Sequence, residues 1–293
     1  MANLKEIRNR ITSISSTMQI TSAMKMVSAA KLRRAQNAVT QMRPYANKLQ
    51  EILSNVSSTL DSSEGIYSVN REQRNVLIVS ITSNRGLCGG FNNNVIKAAK
   101  KLAETEYKDC NTTVFSIGKK SLDAFKSTEL GITGTLLPRH PEKIWDELTF
   151  EKSSEIAEKL MTQFTEGYQD KIVLIYNQFK NAAVQIVQEE QFLPVLPPVV
   201  EEGTSNSSTD YIFEPSKELI VEEMIPKSLK TQLYKALLDS VASEHGARMT
   251  AMHKATDNAK ELQDDLKLVY NKARQANITN EILEIVAGAE ALG

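Results

Sequence analysis

The sequence is poor in the residues that build disulfide frameworks and metal sites. Its 293 residues include two cysteines, three histidines and one tryptophan. Cys88 and Cys110 form no CxxC pair, which favours reduced thiols and a reducing compartment over a disulfide scaffold. The histidines, at His140, His245 and His253, match no common metal-site spacing, and we interpret them as surface or helix-face residues. We therefore expect no metal site.

Long hydrophobic runs are also lacking. No apolar segment reaches the roughly 20 residues that a membrane-spanning helix needs. The first residues are basic, amphipathic and rich in Ser and Thr, which is typical of a mitochondrial presequence. We interpret them instead as part of a long helix, because their apolar stripe continues without a break to Leu60. No Ser/His/Asp arrangement or spaced carboxylate pair stands out, so we expect no catalytic residue and no cofactor.

What the sequence does contain is a long apolar stripe over its first sixty positions. Steps of three and four alternate along it, which indicates a helix paired in a left-handed coiled coil. Such a helix would be roughly 85 Å long at about 1.5 Å per residue. Pro44 removes one backbone hydrogen bond, and we predict a bend there and not an end. The stripe consists of Leu4, Ile7, Ile11, Ile14, Met18, Thr21, Lys25, Ser28, Leu32, Ala35, Val39, Met42, Ala46, Leu49, Leu53, Val56 and Leu60.

A second long helix is predicted at the other end of the chain. Pro226 suits a first helical turn, so we place the start of the helix there. The helix has an apolar stripe whose later part, after a change of phase, consists of Ile278, Ile282, Ile285, Ala289 and Leu292. Because the termini of a compact domain often lie close together, we expect the two long helices to run side by side and antiparallel. The first part of its stripe consists of Met252, Ala255, Ala259, Leu262, Leu266, Val269, Ala273 and Ala276.

Between the two helices the pattern changes to short β-branched runs that alternate with helical segments. This alternation predicts a small α/β sheet with an antiparallel edge. Prolines and a Gly/Ser/Thr tract at 193–215 predict an irregular loop. Strands are predicted at 75–82, 112–117, 171–177 and 182–188, and helices at 93–106, 119–126 and 151–168.

A glycine-rich segment, SNRGLCGGFN at residues 83–92, follows the first predicted strand and precedes a helix. Phosphates bind at this place in many α/β proteins. The segment matches neither GxGxxG nor GxxxxGK[ST], and no lysine closes the loop. Its glycines also suit a tight turn with close packing of the helix on the sheet. We favour the turn over a nucleotide site.

Charge is distributed unevenly although the net charge is only -1. Residues 1–60 carry nine Lys or Arg and two Glu, whereas residues 187–224 carry nine acids and one Lys. The stretch MQITSAMKMVSAAKLRRAQ at 18–36 combines bases with methionine and alanine. This composition fits either a solvated helix face or an adaptable basic surface for acidic partners. Nucleic acid is disfavoured as a partner, because no aromatic residues are interleaved for base stacking.

The same stretch closely resembles the N-terminal signature of the gamma subunit of F-type ATP synthases. The segment LVYNKARQANITNEILEIVAGA at 268–289 resembles the C-terminal signature of that family. RGLCGGFN at 85–92 and ASEHGARMTAM at 242–252 match stretches between them. The resemblance covers essentially the whole chain and favours a bacterial type without the cysteine-bearing insert of chloroplast members.

The resemblance implies a rotor shaft that stands as one copy in a ring of three alpha and three beta subunits. The α/β domain would contact the epsilon subunit and the membrane c ring, and the shaft would couple ion flow to ATP synthesis or hydrolysis. Met24 and Lys25 align with the contact to the acidic collar of beta. Catalysis would belong to the partner subunits, at the cytoplasmic face of the bacterial inner membrane. The C-terminal segment that contacts the ring aligns with Arg274, Gln275, Thr279 and Glu281.

The predicted fold is a long antiparallel coiled coil with an inserted Rossmann-like α/β domain. We predict domains at 1–62 for the first helix, 72–218 for the α/β domain and 219–293 for the second helix. Two other classes stay open on the residues alone. One is an enzyme with a nucleotide-binding α/β domain on a helical stalk, and the other is a passive coiled-coil tether.

Overall fold

The computed structural model describes residues 4–57, 66–69, 71–131, 137–195 and 217–290. Compactness divides the chain into two units. Met1–Ala29 and Arg248–Gly293 form the helix-pair unit, and Ala30–Ala247 forms the sheet unit. In chain order the elements are α1 Leu4–Ser57, β1 Asn75–Ile81, α2 Phe91–Thr105, β2 Asn111–Ile117, α3 Lys119–Phe125, a 3-10 helix Pro141–Trp145, α4 Phe150–Thr165, β3 Lys171–Phe179, β4 Gln185–Leu193 and α5 Lys217–Glu290.

The sheet has four strands in the order β2-β1-β3-β4. β1 pairs in parallel with β2 and β3, and β4 runs antiparallel to β3 at one edge. Both faces of β1 are covered, which explains why its sequence is a continuous apolar run. Leu77 and Val79 contact one layer of helices, whereas Val76 and Ile78 contact the other. This arrangement confirms the predicted α/β sheet with an antiparallel edge.

The last long helix contributes to the core of the sheet unit. Leu233 and Leu237 of α5 are fully buried in the same cluster as Leu160 and Phe164 of α4. On the opposite face the core is formed by α2 and α3. The hydroxyl of Ser243 donates to the carbonyl of residue 177 at 2.9 Å, which ties α5 to β3. One helix therefore serves both units, because α5 continues into the helix pair.

The two long helices agree with the sequence prediction at one proline and differ from it at the other. α1 continues through Pro44, as predicted, while the predicted bend there stays a prediction. The predicted start of the last helix at Pro226 is wrong, because α5 begins at Lys217 and Pro226 lies inside it. The earlier start lets Ile225 join the core of the sheet unit. Burial there outweighs the backbone hydrogen bond that the proline removes.

The predicted bounds of the fourth strand are also wrong. The strand begins at Gln185, because the side chain of Asn181 accepts hydrogen bonds from the amides of Ala183 and Val184 and holds those residues in the turn. It continues past the predicted end, since Glu190 faces β3 and accepts a hydrogen bond from Tyr176 Oη at 2.7 Å. The predicted loop at 193–215 lies, apart from its first three positions, outside the described residues, as does the predicted boundary at residue 62. The three-part domain division stays a prediction.

Candidate partner-binding surfaces

The register of the helix pair is defined by two widely separated contacts. Arg8 Nη2 donates to Tyr270 Oη at 2.7 Å, and this hydrogen bond raises the pKa of Arg8 above its ordinary value. Further along, Lys25 Nζ lies 3.3 Å from His253 Nδ1. The 17 positions from Arg8 to Lys25 match the 17 positions from Tyr270 back to His253. The two helices therefore run antiparallel, as predicted, and the structure adds that their register is constant between these two contacts.

A polar layer occupies the place where the apolar stripe of α1 is interrupted. Thr256 Oγ1 donates to Thr21 Oγ1 at 2.8 Å across the pair, and Thr21 is almost fully buried. Ser28, the third polar member of the stripe, is buried as well. At Thr21 and Lys25 the interruption is thus matched by polar partners on α5, and matched polar groups of this kind favour one register over others.

The stripe predicted on the last helix is wrong in part. Met252 is buried on the paired face, but Leu262 and Val269 are about half exposed. Gln263 and Tyr270 lie on the less exposed face in their place. Tyr270 lies on the face of α5 that is paired with α1. Its hydroxyl accepts a hydrogen bond from Arg8, and its ring lies under the Arg8 guanidinium group.

The first predicted contact site, Met24 and Lys25, lies on α1 beside this polar layer. Both residues are half buried. Around them Ile20, Met26 and Val27 are more than half exposed. The surface at this level is thus apolar, with a lysine at its border and methionine side chains that adapt to different neighbours.

The second predicted contact site lies near the C-terminal end of α5. Arg274, Gln275, Thr279 and Glu281 are all exposed. Thr279 Oγ1 donates to the carbonyl of Gln275 at 2.9 Å, one turn earlier in the same helix. In the helix-pair register residue 274 lies opposite Leu4, where α1 begins. The four residues therefore lie at and beyond the end of the described pairing.

A stripe of large apolar residues accompanies the second site. We call it the C-terminal stripe and define it as Ile278, Ile282 and Ile285. Their exposed fractions are 48%, 55% and 71%, and the neighbouring Leu283 and Val286 are similarly exposed. Every described residue from 274 to 290 is exposed. Scattered apolar residues on a surface are normal, but a contiguous stripe of this kind marks an interaction surface.

The structure does not bring the two predicted contact sites together. Lys25 is level with His253, and Arg274 follows 21 positions later in α5, which is roughly 30 Å along a helix. His253 lies beside the first site, although the sequence predicts it only as a helix-face residue. The sequence signal that could have identified His253 is the i, i+4 spacing to Asp257. In the structure His253 Nδ1 lies 3.4 Å from Asp257 Oδ2.

The glycine-rich loop is held by contacts within itself. Asn92 Oδ1 accepts hydrogen bonds from both the amide and the hydroxyl of Ser83. The Ser83 hydroxyl also lies 2.6 Å from the carbonyl of Arg85, and Asn92 Nδ2 lies 3.2 Å from the sulfur of Cys88. Leu87 and Gly89 have positive φ angles of 61° and 59°, as a tight turn requires. These contacts favour the turn interpretation over phosphate binding.

Within residues 4–57, 66–69, 71–131, 137–195 and 217–290, no group of three His, Cys, Asp or Glu side chains is arranged to hold a metal ion. Among the helices of that part of the chain, none is both long and apolar enough to cross a bilayer.

These features define a class of protein. Long terminal helices pair in antiparallel fashion, a small mixed α/β sheet is inserted between them in the sequence, and one helix carries an exposed apolar stripe. This is the construction of a stalk subunit in a larger assembly.

The family model described as ATP synthase matches residues 3–292. The ATP synthase gamma chain of Flavobacterium johnsoniae is 63% identical, and that of Christiangramia forsetii is 62% identical, each over 100% of this chain and 99% of the relative. The chain therefore belongs to the ATP synthase family.

Solved structures agree with this assignment. A chain in the cryo-EM structure of the Tetrahymena thermophila mitochondrial ATP synthase central stalk and c-ring is 25% identical, with a TM-score of 0.58 over 80% of this chain and 99% of that one. A chain from the Euglena gracilis enzyme has the same fold, with a TM-score of 0.70 at 23% identity over 99% and 94% of the two chains. The comparisons confirm the resemblance to the gamma subunit and, with it, the predicted fold class and central-stalk assignment.

Proposed function

We propose that this chain is the torque-carrying shaft of a bacterial F-type ATP synthase and has no catalytic site of its own. Ion flow through the c ring turns the shaft, and the turning shaft drives the conformational cycle of the alpha and beta subunits. The chain works as one copy, peripheral to the membrane at its cytoplasmic face. Its domains are the first helix over 1–62, the α/β domain over 72–218, which contacts epsilon and the c ring, and the second helix over 219–293.

The C-terminal stripe is the observation that carries this proposal. Ile278, Ile282 and Ile285 are exposed on a regular helix beyond the described pairing with α1. Residues of this kind are stabilised when a partner removes them from water. The ring of alpha and beta subunits encloses one helix at its centre. The polar contacts where the helix enters the ring are made by Arg274, Gln275, Thr279 and Glu281.

Met24 and Lys25 supply the second contact of the shaft. The ammonium of Lys25 is attracted by the acidic collar of beta, and the exposed apolar residues around it leave the surface adaptable. One shaft inside a threefold ring touches each beta subunit through a different side. A ligand shifts a conformational equilibrium only through different contacts with its states, so each catalytic site receives a different bias. Rotation then exchanges the three biases.

A cross-linking experiment tests the shaft against a passive tether. Met24→Cys in this chain is joined to a cysteine placed in the collar of beta in the assembled complex. The shaft predicts that ATP turnover stops on oxidation and returns on reduction. The control is the same complex with Met24→Ser, which cannot form the bond. Full turnover in the oxidised complex, with the cross-link verified on a gel, would leave a tether as the better description.

The enzyme alternative makes a separate prediction. Isothermal titration of the purified chain with ATP and with NAD should give no binding heat if catalysis belongs to the partners. Saturable binding that Asn92→Ala weakens would instead assign a nucleotide site to the glycine-rich loop, because Asn92 holds that loop in its closed arrangement.

A further inference from the structure

His253 lies between two groups of opposite charge. Its Nδ1 atom is 3.3 Å from Lys25 Nζ on α1 and 3.4 Å from Asp257 Oδ2 on α5. The layer next to it along the pair, Thr21 with Thr256, is uncharged. One cation from the partner helix and one carboxylate from its own helix therefore lie against the imidazole.

A single ring nitrogen cannot serve both neighbours at the same time. In the neutral ring with its proton on Nε2, Nδ1 has a lone pair that accepts a hydrogen bond from the Lys25 ammonium. In the protonated ring, Nδ1–H donates to the Asp257 carboxylate, and the imidazolium repels Lys25. Protonation therefore exchanges one partner for the other. Imidazoles change charge between about pH 5 and 8, which is the range in which cells operate.

We propose that His253 is a positioning residue for Lys25. The neutral imidazole holds the Lys25 ammonium against α5, and protonation releases it toward an acidic partner surface while the ring turns its hydrogen bond to Asp257. This inference rests on the proposed contact between Lys25 and the collar of beta. The inference adds that this contact depends on pH. The dependence needs both helices, because Lys25 lies on α1 and His253 on α5.

The direction of the effect follows from the charges. Above the titration range of the imidazole, Lys25 shares its ammonium with Nδ1 and is less available to a partner. Below that range Lys25 faces a like charge and extends away from α5. Acidification therefore strengthens the attraction of the shaft to an acidic surface, even though it adds no charge to Lys25 itself.

The first measurement uses the purified full-length chain and an acylating reagent. The acylation rate of Lys25 is followed by mass spectrometry from pH 5.5 to 8, in the wild type and in His253→Asn. The carboxamide accepts a hydrogen bond at every pH and never becomes charged, so the ratio of the two rates cancels the pH dependence of the reagent. The expected ratio is close to one at pH 8. It rises to about fivefold at pH 5.5, the factor that one like-charge contact near 4 Å is worth in water.

Two further variants separate positioning from a general structural effect. His140→Asn is the matched control, because His140 Nδ1 lies 3.2 Å from Glu142 Oε1 in an exposed pair of the sheet unit. It should leave the wild-type rise intact. Asp257→Asn removes the carboxylate to which the charged ring donates, and it should make the rise smaller. The inference is overturned if the ratio of the wild-type acylation rate to the His253→Asn rate stays constant from pH 5.5 to pH 8.

The second measurement uses the assembled complex and a zero-length carbodiimide. It records the yield of the cross-link between Lys25 and carboxylates of beta, again as the ratio of wild type to His253→Asn at each pH. The yield should rise on acidification in parallel with the acylation ratio. Absence of any cross-link from Lys25 to beta, at every pH and in both proteins, would contradict the proposed contact, whereas the acylation ratio would still decide the role of His253.

Discussion

The exposed C-terminal stripe leads to a prediction that separates folding from assembly. Ile285 is 71% exposed in the described chain. Fully burying an isoleucine stabilises by about 1.5–3 kcal/mol. Ile285→Ala removes most of that side chain. If a partner covers the exposed part, the complex loses about 1–2 kcal/mol of binding free energy, which lowers the affinity roughly 5- to 30-fold. The free chain loses little, because the side chain is already in water.

The measurement compares two properties of the same variant. Thermal unfolding of the free chain is followed by circular dichroism, and its binding to the isolated ring of alpha and beta subunits by fluorescence titration. Leu233→Ala is the matched control on the same helix, because Leu233 is fully buried. It should lower the stability of the free chain by about 2–5 kcal/mol. If Ile285→Ala destabilises the free chain as much as this control and leaves the affinity for the ring unchanged, the stripe is not a binding surface.

Three other tests concern the contacts within each unit. Thr21→Val and Thr256→Val should each slightly increase hydrogen exchange in the helix pair. The double variant should cost less than their sum by about 1 kcal/mol, because the hydrogen bond between the two hydroxyls can be lost only once. Strict additivity would argue against that shared hydrogen bond. Gly118→Ala should destabilise the sheet unit by several kcal/mol, measured by chemical denaturation. The reasons are that φ at Gly118 is 130° and that the new Cβ would overlap with a backbone carbonyl. A variant as stable as the wild type would contradict this geometry. Burial, together with the neighbouring Glu190 carboxylate, raises the pKa of Tyr176 above its ordinary value of 10.0, so the native state retains a proton that the unfolded chain loses. Wild-type stability should therefore fall as pH rises above about 10, and Tyr176→Phe should show a shallower fall in unfolding experiments; equal slopes would refute the assignment.

Much of the fold follows from local patterns. β1 is a short apolar run and β2 a short run rich in β-branched residues, and both are buried along most of their length. α1 keeps its predicted stripe half buried or buried at every described position from Leu4 to Leu49. These elements are predictable because each obeys one period and is bounded by turn residues. The helix pair follows from a similar argument, since two long amphipathic helices each lack an apolar partner face.

The errors arise where tertiary contacts override local signals. Pro226 is a good first-turn residue, yet the burial of Ile225 extends α5 backward past it. Leu262 is apolar and in phase with the predicted stripe, but Tyr270 and its hydrogen bond to Arg8 rotate the contact face. The first outcome depends on the core of the sheet unit and the second on the partner helix, and neither is visible in the local sequence.

The candidate sites show the same limit. Met24, Lys25 and the four C-terminal residues come from a resemblance, and their roles stay predictions. His253 is reached only through the register, because it lies 228 positions from Lys25 in the sequence. A pairing between residues so far apart leaves no periodic trace in either segment.

The constant register of the helix pair restricts how the gene can change. One residue inserted between His253 and Tyr270 would turn everything after it by about 100° and shift it by about 1.5 Å. The C-terminal stripe would then face a different direction, while the contacts of Lys25 stayed in place. Insertions and deletions in this part of the protein should therefore be purged unless they come in multiples that restore the helical phase, so natural variation in length has to accumulate in the segments between the elements.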